Sequence, residues 1–318
     1  MRPAESRVEK LLAMIGERGW KARIVPIGRL ADLREAVRGR YEAGLIDGAL
    51  FREQLASFSF QPPAELPQAR SILVVAVPTP QMRVVFRRRG ESVAVVVPPT
   101  YVSYTPRAEG VRAVLEAWLR REGFRLAKPQ LPLKTLAVCS GLAEYGRNNI
   151  CYVAGMGSFL ELVGAVSDLP CEADPWREPR ALARCESCVA CLRRCPTGAI
   201  GEDRFLLRAE RCLTYHNEAA ADFPAWIEPS WHHCLIGCMR CQTVCPENRA
   251  VVDWIEDLAE FSEPETALFL ERVPLERLPA ATAAKLRSLE INEDYGLLCR
   301  NLSMVLGPYP PFTRHGFW

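Results

Sequence analysis

The sequence is poor in the features that mark membrane proteins and strongly charged binding proteins. No apolar run approaches the roughly 20 residues that a helix needs to cross a bilayer, and Met1 to Glu5 carry no apolar leader core. The 40 basic and 38 acidic side chains give a formal net charge of +2, so the overall charge favours neither a nucleic-acid nor a membrane partner. We therefore expect a cytoplasmic protein that does not associate with a membrane.

Cysteine, by contrast, is abundant, with 13 among the 318 residues. The first block of cysteines has the spacing C-x₂-C-x₂-C-x₃-C-P of a bacterial two-cluster ferredoxin, and a later block repeats the tail C-x₂-C-x₃-C-P. Disulfides would require an oxidising compartment, and a structural zinc site has no use for the x₃-C-P ending of both blocks. The cysteines therefore predict two 4Fe–4S clusters. The two blocks comprise Cys185, Cys188, Cys191 and Cys195, then Cys238, Cys241 and Cys245.

The spacing also predicts which cysteine binds which cluster. In such a run the fourth cysteine, before the proline, ligates the neighbouring cluster. One cluster is then held by Cys185, Cys188, Cys191 and Cys245. The other is held by Cys195, Cys238 and Cys241, with an eighth ligand from either Cys212 or Cys234.

Around the cysteines, apolar periodicity predicts an α+β protein. Strands and helices are mixed up to about residue 170, and the run Ser71 to Val77 is apolar enough for a strand that is covered on both faces. We predict a mixed α/β domain over 1–172, a ferredoxin-like domain over 173–250 and a helical segment over 251–318. The individual elements expected are helices over 5–18, 31–43 and 111–122, a hairpin over 82–97, a helix over 251–261 and a last helix bearing Leu286 to Val305.

A further group of motifs precedes and follows the first cysteine block. Together with the cysteines, these motifs resemble the epoxyqueuosine reductase and reductive dehalogenase superfamily over roughly residues 70 to 250. The members of that superfamily are cobalamin-dependent reductases in which two 4Fe–4S clusters feed electrons to a base-off corrinoid. The motifs are Ser140 to Asn149, Gly157 to Phe159, Asp168 to Pro170, Arg211 to Tyr215 and Gly237 to Pro246.

The resemblance implies several roles for residues of this chain. It makes residues 1–172 a domain of the corrinoid-binding type, and it favours Cys212 as the eighth cluster ligand because the family's Arg-Cys-x-x-Tyr segment carries a ligand. Tyr145 and Arg147 are its candidates for a proton source in catalysis. The residues implied at the corrinoid are Tyr145, Arg147, Asn148, Asn149, Gly157, Ser158, Phe159 and Tyr215.

One position departs from the family pattern. Epoxyqueuosine reductases carry an acidic residue about fifteen positions before the Gly-Leu pair, and the ungapped count from Gly141 reaches Ala127. This difference and the small net charge argue against tRNA as a partner and for a small organic substrate. We expect a low-potential electron donor such as ferredoxin or flavodoxin. The alternative is an iron–sulfur electron-transfer or corrinoid-handling protein that turns over no substrate of its own.

Overall fold

The computed structural model describes residues 6–291 and 295–307. The first helix begins after a capping box at Ser6, whose hydroxyl accepts from the backbone N–H of Glu9 while the Glu9 carboxylate accepts from the N–H of Ser6. The helices are α1 Arg7–Gly16, α2 Leu30–Glu42, α3 Gly48–Leu50, α4 Tyr104–Arg121, α5 Leu133–Cys139, α6 Ala190–Arg194, α7 Leu213–Glu218, α8 Arg240–Thr243, α9 Glu263–Leu270, α10 Ala280–Ser288 and α11 Tyr295–Leu306.

The strands alternate with these helices over the first half of the chain. They are β1 Lys21–Pro26, β2 Ser71–Pro78, β3 Gln81–Arg88, β4 Glu91–Val97, β5 Leu126–Ala127, β6 Glu144–Tyr145, β7 Cys151–Tyr152, β8 Leu160–Ser167 and β9 Ile255–Phe261.

The contacts divide the chain into two units. Unit 1 consists of Met1–Pro80, Tyr104–Cys212 and Arg240–Asp253, and unit 2 consists of Gln81–Ser103, Leu213–Met239 and Trp254–Trp318. The cysteine-rich stretch is thus shared between the units. This division does not follow the boundaries at residues 172 and 250, which remain a prediction.

Unit 1 is organised around a four-stranded antiparallel sheet with the strand order β1-β2-β8-β5. The central strand β2 is buried along almost its whole length, as its unbroken apolar run predicts. One face of the sheet packs on α1 and α4, and the other packs on α2, α5 and the β6–β7 hairpin. The sheet therefore gives β8 and the segment before it a rigid support.

Unit 2 contains the three-stranded sheet β4-β3-β9, in which β3 pairs antiparallel with β4 and parallel with β9. Its core is lined by Phe86, Phe261 and Phe269, whose rings lie 4.9 to 6.2 Å apart. The helices α9, α10 and α11 complete this core.

Most of the predicted elements are confirmed, and so is the mixed α+β class. The helix over 251–261 is wrong, because this segment forms β9 along the edge of β3. Apolar Ile255, Leu258 and Phe261 are spaced as on a helix face, but pairing with β3 outweighs that local pattern. The single last helix that was predicted is also wrong, because the structure has two helices there, α10 and α11. The chain takes a left-handed conformation at Glu290 between them (φ 49°). Of the helices in the described ranges, none is long and apolar enough to cross a membrane.

Candidate metal centre

Four cysteines line one pocket of unit 1. Cys185, Cys188, Cys191 and Cys245 share its wall with the turn that begins at Gly146, and the pocket has about 340 Å³ of empty space open to solvent. These are the four cysteines that the spacing predicts for one cluster. The short helices α6 and α8, which carry Cys191 and Cys241, pack against each other.

The electrostatics of the pocket oppose bare thiolates. Burial raises the pKa of Cys191 to about 11, and the nearby Cys185, Cys245 and Cys188 add to that rise. Burial also raises the pKa of Cys185, with Cys245 and Cys188 again contributing. Crowded thiols of this kind become thiolates when iron supplies the opposing positive charge.

The donor set of the pocket suits a cube of four irons. No group of three His, Cys, Asp or Glu side chains within residues 6–291 and 295–307 is placed to hold a single metal ion. A 4Fe–4S cluster makes a different demand, since four cysteine thiolates surround a body of several atoms. Four thiols on the wall of one open pocket meet that demand.

The turn after β6 holds the first cysteine loop in place. The backbone N–H of Arg147 donates to the Cys185 sulfur over 3.4 Å, and the Arg147 guanidinium donates to the carbonyls of Cys185 and Cys188. The three donors of one residue thus fix the position and orientation of this loop.

The next residue connects the turn to the second cysteine block. Asn148 is buried, and its amide nitrogen donates to the Tyr152 hydroxyl over 2.9 Å and to the carbonyl of Cys241 over 3.4 Å. Tyr152 is buried as well. Burial raises the pKa of Tyr152, and the nearby Cys245 thiol adds to that rise, so this phenol stays protonated.

The Asn149 side chain hydrogen bonds to a neighbouring loop of unit 1. Its backbone is left-handed (φ 57°), a conformation that asparagine tolerates better than most residues. Its amide nitrogen donates to the carbonyl of Phe205 over 3.0 Å, and its amide oxygen accepts from the N–H of Leu207.

The segment before β8 is bonded to the end of the second cysteine block. The Ser158 N–H donates to Asn248 over 2.8 Å, and the Ser158 hydroxyl donates to Gln242 and accepts from Asn248, both over 2.8 Å. Gly157 is left-handed (φ 63°), and a Cβ there would stand 2.3 Å from the Asn248 amide oxygen. Glycine is required here because the two backbones approach closely.

The remaining residues of these motifs lie in the core. Phe159 is fully buried, and Tyr145 is buried with its hydroxyl 3.2 Å from that of Thr135. Burial raises the pKa of Tyr145 to about 12, which makes it a weak proton donor near neutral pH. Cys139 and Cys151 are also buried in this core, and burial raises their pKa values to about 11 and about 12.

These contacts provide a test of the corrinoid residues that the resemblance implies. A corrinoid needs amide partners around its rim and an exposed apolar surface beneath it. Asn148, Asn149 and Ser158 instead use their polar atoms to hold segments of this chain, and the ring of Phe159 is not exposed. As arranged here, these residues do not fit the group, and their assignment to a corrinoid stays a prediction. Tyr215 belongs to unit 2, where its ring packs edge-on against His216.

The other predicted ligands have varied surroundings. Burial disfavours the thiolate form of Cys195, but the Thr197 hydroxyl at 3.4 Å and the nearby backbone N–H groups of Thr197, Ala199 and Ile200 outweigh it and lower the pKa. Cys212 is partly exposed and follows a 3₁₀ turn in unit 1. Cys238 lies in unit 2, as does Cys234, which is fully buried. The complete ligand set of the second cluster stays a prediction.

Sequence reasoning missed three of the residues that form these contacts: Tyr152, Thr197 and Asn248. Asn248 and Thr197 each lie within three residues of a Cys-Pro pair, and that position is a signal which could have identified them. Tyr152 follows a turn and stands in an apolar stretch, so nothing in its sequence context pointed to a cysteine.

Ala127 occupies the position at which the ungapped count places the family's acidic residue. Ala127 lies in β5, buried and paired with Val166. The buried carboxylate of Glu161 belongs to the same sheet, but it lies five residues from Val166 along β8, about 17 Å at the usual rise of a strand. Glu161 therefore does not replace the absent acid in space.

Comparison with known proteins defines the class first. Residues 184–248 match the model of a 4Fe–4S double cluster binding domain. The class of protein is thus one with two adjacent 4Fe–4S clusters, as the cysteine spacing predicts.

Curated relatives match part of this chain. The chain is 35% identical over 136 residues to an epoxyqueuosine reductase of Salmonella typhimurium, covering 42% of this chain and 33% of the relative. It is 33% identical over 134 residues to that of Gloeobacter violaceus, covering 41% and 40%. The alignments thus span only about a third of the length of the curated relatives. The resemblance to the epoxyqueuosine reductase superfamily is confirmed.

The fold agrees with these relatives. The structure of epoxyqueuosine reductase from Streptococcus thermophilus superimposes with a TM-score of 0.70 at 21% identity, over 94% of this chain and 80% of the other. An epoxyqueuosine reductase solved with an epoxyqueuosine-modified tRNA-Tyr stem loop gives a TM-score of 0.68 at 21% identity, with the same coverage.

These relatives correct one expectation. The argument against tRNA as a partner is wrong, since the curated relatives are epoxyqueuosine reductases and one solved neighbour holds a modified tRNA stem loop. The expectation relied on Ala127 and on a net charge of +2. A net charge sums over the whole surface and does not describe the local field where an RNA loop would bind.

Proposed function

We propose that the protein is an iron–sulfur reductase of the epoxyqueuosine reductase type that acts on a modified nucleoside in tRNA. One observation carries the proposal: a single pocket of unit 1 is lined by Cys185, Cys188, Cys191 and Cys245. Reduction of an epoxide to an alkene consumes two electrons and two protons and releases its oxygen as water. The resemblance to relatives named for this substrate supports the choice of reaction.

In this proposal the pocket holds the first cluster. Cys195, Cys212, Cys238 and Cys241 hold the second, so the protein should contain about eight irons and eight acid-labile sulfides per chain. Each cluster transfers one electron at a time, and the protein sets its potential through burial and hydrogen bonds to sulfur. A ferredoxin or flavodoxin would supply the electrons in the reducing cytoplasm.

Cobalamin enters the proposal through the resemblance alone. A reduced corrinoid would supply a strong nucleophile for breaking a C–O bond. Asn148, Asn149 and Phe159 do not fit such a group as arranged. The proposal therefore includes electron transfer to the clusters and no step through a corrinoid. A visible spectrum of anaerobically purified protein separates the possibilities. Corrinoid bands would support cobalamin, whereas cluster absorption alone would favour an electron-transfer role.

The reaction itself can be tested with the RNA. Reconstituted protein is incubated anaerobically with reduced flavodoxin and a tRNA stem loop that carries epoxyqueuosine, with and without added cobalamin. Mass spectrometry should show the loss of one oxygen atom from the modified nucleoside. The control is Cys191→Ser, which removes one of the four pocket thiols and should abolish the change.

A stem loop that is not altered under either condition, by protein with a full complement of iron, would contradict the proposed substrate. Iron near four atoms per chain, or stoichiometric zinc, would contradict the two clusters themselves.

The choice of eighth ligand makes a separate prediction. Cys212→Ser should lose the second cluster or convert it towards a three-iron form, because a serine replaces one thiolate. Cys234 is fully buried in unit 2, and Cys234→Ser is the matched variant that should keep both clusters. EPR spectra of the oxidised and reduced proteins measure the difference, and the reverse pattern would assign the ligand to Cys234.

A further inference from the structure

A short buried segment of unit 2 leads directly into Cys238. Its residues, Leu235 to Gly237, belong to no helix or strand, so their carbonyls need partners from elsewhere in the fold. The Leu235 carbonyl accepts from the amide nitrogen of Asn301 over 3.0 Å, and the Gly237 carbonyl accepts from that of Asn217 over 2.6 Å. Side chains of two other segments of unit 2 therefore hold the chain just before Cys238.

The Asn301 side chain can point in only one direction. Asn301 lies fully buried on α11, and its amide oxygen accepts from the Arg300 guanidinium over 2.9 and 3.2 Å. A guanidinium only donates, so the oxygen faces Arg300. The amide nitrogen then faces the carbonyls of Leu235 and Asn217, over 3.0 and 2.9 Å. Arg300 thus orients the amide that bonds the segment before Cys238.

Arg300 itself is fixed by α7 and the turn that follows it. Its guanidinium stacks on the ring of Phe223, 4.1 Å from the centroid, and donates to four backbone carbonyls. They belong to His216, Asn217, Ala219 and Ala221. A planar fork of donors can meet several acceptors at once, which the single ammonium of a lysine cannot do.

Gly237 is also confined by an aromatic ring of unit 2. Its backbone is left-handed (φ 66°), and a Cβ there would stand 3.0 Å from the ring and from the hydroxyl oxygen of Tyr101. The Tyr101 hydroxyl donates to the Glu218 carboxylate, on α7. The segment before Cys238 is therefore closely packed as well as hydrogen bonded.

We infer that Arg300 and Asn301 are positioning residues for the second cluster, because they hold the segment that places Cys238. A cluster needs each thiolate at its own iron, so a displaced Cys238 would leave one iron without a ligand. The inference rests on the proposed clusters. It extends their support to α11, which lies outside the residues 184–248 that match the double cluster model.

The test uses the full chain, reconstituted anaerobically, with Asn301→Leu. Leucine has a similar size but leaves the carbonyls of Leu235 and Asn217 buried without this donor. The iron content should fall from about eight towards about four per chain. EPR should show loss of the second cluster or its conversion to a three-iron form, with the first cluster retained. Cys238→Ser and Cys191→Ser provide the reference spectra for damage to the second and the first cluster.

The matched control is Leu289→Ala. Leu289 is also buried in the core of unit 2 and follows α10. Its truncation leaves a cavity in that core and destabilises it, but removes no polar partner. This variant should keep about eight irons and both EPR signals. An equal loss of the second cluster would overturn the inference, because any destabilisation of unit 2 would then suffice.

Arg300→Lys provides the second variant, which also decides the question if Asn301→Leu does not fold. It keeps the positive charge beside the carbonyls of α7 but cannot bond them and the Asn301 oxygen together. The second cluster should be lost from a fraction of the molecules. Full iron with unchanged EPR signals in this variant would overturn the inference.

The unaltered protein separates a failed inference from a failed function. If it lacks the second cluster, the two proposed clusters fail and the inference fails with them. If it holds both clusters and folded Asn301→Leu also keeps both, the inference alone fails. Selective damage to the first cluster in Asn301→Leu would overturn it equally.

Discussion

Two polar regions of unit 1 differ in how their buried groups are satisfied. From Gly146 to Ser158 the chain bonds its amides and hydroxyls to other segments of unit 1, including the cysteine loops. At Glu161, only three residues further on, one oxygen of a fully buried carboxylate accepts from Arg107 over 2.8 Å. The other oxygen has no hydrogen-bond partner among the described residues.

This difference indicates that the segment from Gly146 to Ser158 is rigid and that the surroundings of Glu161 respond to pH. Groups that are fully bonded hold the cysteine loops at fixed positions, and the loss of one partner leaves the other buried and unpaired. Burial disfavours the charged form of a carboxylate that has only one hydrogen-bonded oxygen, so the pKa of that carboxylate rises. The two regions should therefore respond differently to substitution and to pH.

The largest loss of stability is expected from a substitution at Gly157, in the hydrogen-bonded segment from Gly146 to Ser158. In Gly157→Ala the new methyl group would stand 2.3 Å from the Asn248 amide oxygen and 3.1 Å from the carbonyl of Glu247. Overpacking and the left-handed backbone should together lower the free energy of unfolding by about 4 kcal/mol. Urea unfolding measures this change, and iron analysis should show partial loss of the cluster that Cys245 binds.

The matched control for this substitution is Gly155→Ala. Gly155 is also left-handed (φ 75°), but a Cβ there would meet only the Lys21 amine at 3.5 Å. This variant should lose about 1 kcal/mol from backbone strain alone. Equal losses for the two variants would show that the contact with Asn248 contributes little.

The next effect is expected at Glu161, where burial raises the pKa to about 7 although Arg107 and Arg112 oppose the rise. Because the folded-state pKa lies above the ordinary value, the stability that Glu161 contributes is complete below about pH 4.5 and is lost as the pH rises through 7. Glutamine does not ionise, so Glu161→Gln avoids this loss. The free energy of unfolding of the variant, relative to that of the unaltered protein, should therefore be higher at pH 8 than at pH 4.5, by up to about 3 kcal/mol.

Unfolding of the two proteins at a series of pH values measures the difference. The charged and titratable neighbours of Glu161 are Arg107, Arg112 and Tyr104, all on α4. Glu109→Gln, on the exposed side of the same helix, controls for the loss of a negative charge. A stability difference between Glu161→Gln and the unaltered protein that does not change with pH would mean that the pKa of Glu161 is the same in the folded and the unfolded protein.

The sequence could predict the centre of this protein because cysteine spacing encodes the chemistry of the cluster directly. Cys185 and Cys245 are separated by a long stretch of chain, yet the crossing rule assigned them to one cluster and they line one pocket. The strand β2 was equally predictable, since a continuous apolar run is buried on both faces.

The rest depended on contacts between distant segments. The strand β9 was predicted as a helix, because its partner β3 lies far away in the sequence. The hydrogen bond from Asn148 to the carbonyl of Cys241 joins two segments that are far apart in the sequence, and no local pattern reports such a meeting. The family motif at Asn148 was recognised, but its contacts to the cysteine loops appear only in the fold.

Unit 1 is assembled from three separate stretches of chain, and this has a consequence for how the protein is made. The last stretch, Arg240–Asp253, brings Cys245 to the pocket and Asn248 to Ser158. A ribosome must synthesise all the residues before Arg240 first, and Ser158 lacks Asn248 as a partner until then. The fourth thiol reaches the pocket only with this last stretch, so insertion of the cluster and completion of unit 1 depend on the same step of synthesis.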